Sequence, residues 1–544
     1  MQLNKEMLIM TDEKKPVETE LKLVLPGPEA EEAVIANIRE QGYRVKELEP
    51  VKNVDIYLDT FDWSLMKKKL ALRYRISNGE AMYTIKGIGP IEDGIAKRME
   101  TEVKLDGPVD VPTEIPVKQI RNFVDDIIFP RKLLEHIHVR TDRRLYRVTL
   151  PEGAKIELAF DTSSFSLRGL HKPRRTRRLH ELEAELLAGP VEALISLSSL
   201  LSGTFGYLPS TASKLEVAIE RFKVSLPAKK PPEKYLVRLD DRLDLAVRKI
   251  LAHQLDRFRE HLPGVHRDID TEFVHQARVA TRRMRSALRL FRNAVPQSTG
   301  NSLAGELRWL GGMFGTVRDL DVFLLNLSRF QQQIERFPAE KKKVFENWIE
   351  KQRRAPLNAL SQALASPRYG NFERRLIRFL EGPLPVRPRA PLAVKRVCET
   401  APSIIKEKFD AVIEQGSIVL EDPKLKQFHR LRIQMKRLRY ACEFTAPAYD
   451  GALDPFIERT VDIQDCLGEI QDAVFTRGFI DSLFDDWRGK LVGPALVFIM
   501  GEIYQLQGEI VRERQGRFGQ IWERFASEET IGQLNEILSM SPAD

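Results

Sequence analysis

From Val17 to about residue 188 the chain alternates apolar and charged residues, strand after strand, and no other feature narrows its fold more. In ETELKLVL (18–25), Glu18, Glu20 and Lys22 fall on one parity and Leu21, Leu23 and Leu25 on the other. Successive side chains of an extended strand point to opposite faces, so one face is charged and the other apolar. The same alternation pairs Arg73 with Arg75 in LRYRI, Thr84 with Lys86 in YTIKG, Arg98 with Glu100 and Glu102 in KRMETEV, and Glu181 with Glu183 and Glu185 in HELEAEL. An antiparallel sheet commonly leaves such a face in water. Here, however, carboxylates gather on the first and last strands and guanidinium or ammonium groups on the middle ones. A closed barrel with its charged faces inward explains this: the acids hold a hard cation, and the bases hold an anion with many oxygens.

The character changes near SLPAKKPPEKY (225–235), where prolines and lysines read as a linker. Beyond it, long patterns of helical period dominate. The expectation is an α+β protein of two domains: a lead-in at 1–15, an antiparallel β domain at 16–223, a linker at 224–235, an all-α domain at 236–525 and a tail at 526–544. The helical part repeats itself. HQARVATRRMR (275–285) is answered by HRLRIQMKRLR (429–439), and FGTVRDLDVF (314–323) by LGEIQDAVF (467–475). Two halves, about 236–382 and 391–525, meet at GPLPVRPRAP (382–391).

Each copy of the repeat carries a basic face. With His275 as the origin of a helical wheel, Arg278, Arg282, Arg285 and Arg289 fall within about 80° of it. No acid occurs between Phe273 and Gly305, so the helix cannot neutralise the stripe itself. In the second copy His429, Arg432, Lys436 and Arg439 align, Arg437 lies to one side, and no acid occurs from Pro423 to Cys442. Together with Arg283, these residues form a candidate anion-binding surface. Asp319 and Asp472 are placed to orient the arginines. Neither histidine has a second histidine one turn away, which argues against a metal role.

The E-x-E-x-K of Glu18, Glu20 and Lys22, the R-x-R of Arg73 and Arg75, Lys86, the E-x-E near 181 and SKLE at 213–216 together resemble the CYTH superfamily, the triphosphate tunnel metalloenzymes. The resemblance implies an eight-stranded antiparallel β tunnel that binds a linear triphosphate and a divalent metal, Mg2+ or Mn2+. It implies metal ligands at Glu18, Glu20, Glu181 and Glu183, with Glu185 and Asp161 as further candidates. It implies phosphate contacts from Lys22, Arg73, Arg75, Lys86, Arg98 and Lys214, and from Arg143 in RTDRRLYRV, where Arg144 competes. The helical repeat resembles the CHAD domain, which implies two pseudo-symmetric four-helix bundles and binding of inorganic polyphosphate.

The expected activity is metal-dependent hydrolysis of inorganic triphosphate to pyrophosphate and phosphate, with Glu18, Glu20, Lys22, Arg73, Arg75 and Lys86 at the reaction. Three other readings remain: a polyphosphate-binding or granule-associated scaffold without turnover, a CYTH enzyme acting on an organic triphosphate or cyclising ATP, and a nucleic-acid binder. The last is disfavoured because no aromatic residues interleave with the first stripe to stack bases. A net charge of +8 over 544 residues is too modest to name a partner. Cys398, Cys442 and Cys466 form neither a CxxC nor a metal-finger spacing, which suits a reducing compartment. The first ten residues lack the apolar run of a secretory signal, and no stretch approaches the roughly 20 apolar residues of a membrane span. A cytoplasmic protein is expected, with Met1 and Met10 both open as the start residue.

Overall fold

The computed structural model describes residues 18–88, 95–98, 100–170, 174–175, 178–210, 212–224, 226, 231–333, 339–486 and 493–539. The chain divides into two compact units, Met1–Ala228 and Lys229–Asp544.

In the first unit one antiparallel sheet holds β1 (Glu18–Val24), β2 (Arg44–Glu47), β3 (Val51–Asp59), β4 (Leu70–Ser77), β5 (Glu80–Gly87), β6 (Ile95–Arg98), β7 (Glu100–Leu105), β8 (Leu134–Thr149), β9 (Lys155–Leu167), β10 (Arg174–Arg175), β11 (Leu179–Ala188) and β12 (Leu208–Pro209). Its order is β12-β1-β11-β9-β8-β3-β4-β5-β7, with β6 paired to β1, β2 to β8 and β10 to β9. The eight expected strands thus become twelve segments among the described residues. Three are short additions of two to four residues, and β6 and β7 belong to one stretch interrupted at Met99, which lies outside the described residues. The order is an open path rather than a ring of continuous strands. Yet that stretch touches both regions of the path: β6 pairs with β1, and β7 pairs with β5.

The apolar parity of the strands is covered by helices. Leu21, Leu23, Leu158, Phe160, Leu182 and Ala184 pack with Val34, Ile35 and Ile38 of α1 (Ala30–Glu40), and with Leu194, Leu197 and Leu201 from a later helix, Glu192–Phe205. On the far strands Leu72, Tyr74, Tyr83 and Ile85 pack with Ile120, Val124 and Ile128 of the helix Lys118–Ile128. With α2 (Ser64–Lys67) between them in sequence, these three are α1, α3 and α4 in chain order.

The charged parity is also enclosed. Tyr57, Ile137, Val139, Phe165, Leu167 and Leu179 share the parity of Asp55, Arg143, Asp161 and Glu181 and join Leu215, Ala218 and Phe222 in a separate apolar cluster. Leu215 and Ala218 belong to α5 (Lys214–Arg221), whose start is fixed by a capping box between Ser213 and Glu216. The inner wall therefore grades from an apolar end plugged by α5 to an ionised end, and α5 delivers Lys214 at the junction.

The second unit contains ten helices among the described residues: α6 (Leu243–His266), α7 (Thr271–Leu290), α8 (Gln297–Gln333), α9 (Ala339–Ala365), α10 (Pro367–Glu381), α11 (Val397–Glu421), α12 (Leu425–Thr445), α13 (Asp454–Asp486), α14 (Pro494–Phe525) and α15 (Glu528–Leu538). Five of these helices fall on each side of residues 382–391. The halves also share a core, because Leu320, Phe323 and Leu327 of α8 and Phe345 and Ile349 of α9 pack with Ile480 and Leu483 of α13 and Ile499, Met500 and Ile503 of α14. The repeat shows at the start of each half: Leu243 N donates to Lys395 O, and Val397 N donates to Asp241 O. The repeated helices α7 and α12 lie against each other. In the second half Gly416 of α11 is needed for close approach, since a Cβ there would lie 1.9 Å from Trp522 Cη2. Gly416→Ala is expected to destabilise this unit by about 1–3 kcal/mol through overpacking, read as a lower melting temperature by scanning calorimetry of the full chain.

Candidate functional site

Strand register explains why the charged residues of the first unit meet. Lys22 lies opposite Glu183, and Glu20 opposite Glu185, across β1 and β11. Glu181 lies opposite Asp161 across β11 and β9, and Asp161 opposite Arg143 across β9 and β8. One parity of four adjacent strands thus brings Glu181, Glu183 and Asp161 beside Lys22 and Arg143, and α5 adds Lys214. Arg143 forks onto Asp161 at 2.7 and 2.7 Å and also bonds Glu183. Lys214 Nζ stands 2.8 Å from Asp161 Oδ2 and 2.8 Å from Glu183 Oε1, while Lys22 Nζ is 3.0 Å from the same Glu183 oxygen. These side chains are largely shielded: Asp161 is 0% exposed, Glu181 2%, Lys214 8% and Lys22 13%.

Electrostatics keeps the network ionised. Burial opposes the charge on Glu183, but Lys214, Lys22 and Arg143 hold its carboxyl well below the usual range. Burial likewise opposes the charge on Lys214, and Asp161, Glu183 and Glu181 hold the ammonium well above its ordinary value. Glu181 differs. Burial pushes its carboxyl up, its Oε2 makes no hydrogen bond among the described residues, and Lys214 Nζ stands at 3.7 Å.

A second group continues the inner wall on β3, β4 and β5. Arg75 forks onto the buried Asp55 at 2.6 and 2.8 Å, and Arg73 meets Thr84 and Glu102. Burial would raise the Asp55 carboxyl, but Arg75, with Arg73 and Lys214, holds it below its ordinary value. Lys214 and Arg143 act on this group too, so the two groups are electrostatic neighbours. That Asp55, Thr84 and Glu102 partner these arginines is not legible in the sequence. Asp55 stands in NVDIYLDT on the parity of Asn53 and Tyr57, which was its one available signal. Lys86, half-buried on β5, sits at the register position of Glu100, and Glu185 is half-buried on β11 opposite Glu157. Glu18, Glu20 and Arg98 hold described strand positions, with Glu18 opposite Arg98. Their side chains lie outside the described residues. Arg144 points away from this network and pairs with Glu31.

The donor chemistry suits a divalent ion: carboxylate oxygens only, one of them a buried orphan on Glu181. As arranged, though, no three acids, histidines or cysteines among the described residues form a group ready to hold a metal. Lysine and arginine heads stand between the carboxylates.

In the second unit the two basic faces converge. Arg278 and Arg282 of α7 bear electrostatically on Arg432 and Lys436 of α12 and on Arg285 of their own helix, and Arg278 also bears on Arg318 of α8, a residue not singled out from the sequence. Arg282 Nε, Arg432 Nε and Arg318 Nη1 are buried and make no hydrogen bond among the described residues. Such donors are expensive to bury without an acceptor. Burial and the neighbouring arginines Arg282 and Arg432 push Lys436 down to about 7. Asp319 and Asp472, themselves raised by burial, supply partial compensation near Arg278, Arg318, Arg432 and Lys436. Arg437 neighbours Arg289, extending the surface across both helices. His429 bonds Gln471 at 2.6 Å, and His275 is half-buried on α7. Two candidates lie elsewhere. Arg283 pairs with Glu443 beneath Tyr440 and Phe444, at a pocket of about 570 Å³, and Arg439 bonds the same glutamate and Gln464.

Comparison with known families decides the architecture: residues 17–208 match the CYTH domain and residues 249–481 the CHAD domain. The chain is a CYTH domain followed by a CHAD domain. CYTH domains include metal-dependent triphosphatases and cyclases, so a triphosphate-handling enzyme is the class indicated. Among solved structures, this CYTH-CHAD chain is similar to the CHAD domain from the plant Ricinus communis, at 22% identity over 58% of this chain and 98% of that one, with a TM-score of 0.40. PptA from Streptomyces chartreusis is 17% identical over 52% and 100%, with a TM-score of 0.42. A putative adenylyl cyclase from Hippeastrum, described as having a dominant triphosphatase activity, is 23% identical over 39% and 98%, with a TM-score of 0.28. No helix among the described residues is long and apolar enough to cross a membrane.

Proposed function

We propose that the CYTH domain hydrolyses inorganic triphosphate to pyrophosphate and phosphate with a divalent metal, and that the CHAD domain binds inorganic polyphosphate. The observation that carries the first reading is an inner wall lined by Lys22, Arg73, Arg75, Arg143 and Lys214, shielded on one side by helices and at one end by α5. Triphosphate carries about four negative charges near neutral pH, and phosphoryl transfer rests on positioning and on neutralising the transferred group. Arginine forks meet two phosphate oxygens at once, and the lysines follow the chain as point charges. Glu181 and Glu183, with Asp161, Glu185, Glu18 and Glu20, are the oxygen donors that would hold Mg2+ or Mn2+. The bound ion would polarise phosphoryl oxygens and offset developing charge. Removing the ion with a chelator is expected to abolish turnover.

The second reading rests on the three buried orphan guanidinium donors between α7, α8 and α12. A chain of phosphates supplies acceptors in a row without requiring base stacking. The deciding experiment is a substrate panel of tripolyphosphate, longer polyphosphate, ATP and thiamine triphosphate, each with Mg2+ and with Mn2+. Tripolyphosphate is expected to give the highest kcat/KM; a clear preference for ATP or thiamine triphosphate overturns the assignment. Arg282→Glu with Arg432→Glu should lose polyphosphate binding while triphosphate hydrolysis persists. Undiminished polyphosphate binding by that variant rejects the CHAD assignment.

A further inference from the structure

The charged wall of the CYTH domain is neutralised in part from within. Lys22, Arg143 and Lys214 face Asp161, Glu181 and Glu183, three charges of each sign. These three carboxylates, candidates for holding a metal, are therefore each engaged by a cation that would hold phosphate. A divalent ion entering alone meets three cations at close range. A triphosphate entering alone must separate those cations from carboxylates that remain beside it. Entry of both leaves each of these six groups with an opposite charge.

Lys214 is the pivot of this arrangement. It touches all three carboxylates, at 2.8, 2.8 and 3.7 Å. It is also the first residue of α5, at the positive end of the helix, where an ammonium gains nothing from the backbone; among the described residues its ion-pair partners are these carboxylates. Its helix is fixed by Leu215 and Ala218 in the apolar plug and by the Ser213–Glu216 capping box. The head can nevertheless swing on a flexible four-carbon stem without moving the helix. Arg143, forked onto Asp161, has no such freedom.

Resting on the triphosphate reading above, we propose that Lys214 is an internal counterion: it keeps Asp161, Glu181 and Glu183 closed to a divalent cation until phosphate oxygens draw its ammonium away. Anion and metal then bind with positive coupling, each raising the other's affinity by the same factor. This makes Lys214 a gate on metal entry in addition to a phosphate contact. It also keeps the resting enzyme from accumulating metal without substrate.

The test reads metal binding and needs no turnover. Mn2+ is titrated into the full chain without phosphate, followed by the loss of free-ion electron paramagnetic resonance signal. Lys214→Gln is expected to bind Mn2+ about tenfold tighter than wild type, within the usual range of such couplings. Lys214→Arg, which keeps the charge, should bind as weakly as wild type. A Gln variant no tighter than wild type overturns the proposal. A measurement on wild type covers the case in which the Gln variant does not fold. Saturating sulfate, compared with chloride at equal ionic strength, should engage the lysines and raise Mn2+ affinity; unchanged affinity overturns the proposal. The outcomes also separate this inference from the reading beneath it. If a non-hydrolysable imido analogue of triphosphate binds but Mn2+ affinity ignores both Lys214 and sulfate, the gate alone fails. If the analogue does not bind, both fail.

Discussion

Asp161→Ala is expected to lower the stability of the CYTH domain by about 3–5 kcal/mol, the usual consequence of removing one partner from a buried ion pair. Asp161 is completely buried and answers both the Arg143 fork and the Lys214 ammonium. Its loss leaves two cations in a largely shielded site, with Glu183 as their shared acceptor. In a domain of this size that amounts to roughly 10 °C in melting temperature, measured by scanning calorimetry of the full chain. The sign of a second measurement tells an anion site from a merely structural ion pair. Tripolyphosphate, which restores negative charge to Arg143 and Lys214, should recover more of the lost stability in the variant than it adds to wild type. A melting temperature within 2 °C of wild type would show that the pair contributes little to the fold. Destabilisation without recovery would leave the network structural and would count against phosphate at these residues.

The alternation of strands such as ETELKLVL was enough to separate the charged from the apolar face, because strand period is a local property. Which cation meets which carboxylate was not legible. Asp55 binds Arg75 from a neighbouring strand, and Arg143 reaches Glu183 across β9, so both pairings depend on register between distant segments. Lys214 entered only through family resemblance. Nothing in KLEVAIER tells whether its apolar side covers a sheet from outside or plugs its inner face. The basic helices were more transparent, since a helical wheel is also local. Yet Arg282 and Arg283, adjacent in RRMR, part company. A turn of about 100° sends the second toward Glu443 and the rings of Tyr440 and Phe444, away from the stripe. Arg318 was hidden for the opposite reason: it lies on α8, in a VRD segment valued for its aspartate, and joins the basic face only because α8 packs on α7.

On the polyphosphate reading proposed above, affinity of the CHAD domain is expected to weaken about tenfold as pH rises from 6.5 to 8.5, because Lys436, one of the proposed binding cations, titrates there. Lys436 is pushed down to about 7 by burial and by Arg282, Arg432 and Arg278, with Asp472 opposing. Below pH 7 it is an ammonium in the free protein; above pH 7 it is largely neutral. A polyanion favours the charged form, so binding takes up a proton, and affinity falls by up to about tenfold per pH unit between the free and bound pKa values. The stability of the ligand-free protein should move the opposite way. The unfolded lysine titrates near 10.4, so from about pH 7 to 10 the unfolded chain holds more protons than the folded one, and this residue's penalty fades as pH rises. Long polyphosphate keeps titration of the chain ends from dominating the measurement. Lys436→Met should bind weakly with a flat profile over this range, and Lys436→Arg tightly with a flat one. A wild-type affinity independent of pH, or a Met variant with the wild-type slope, would remove Lys436 from the anion surface. The pairing of opposite pH trends in affinity and stability follows only if a lysine made uncomfortable by its neighbours is waiting for an anion.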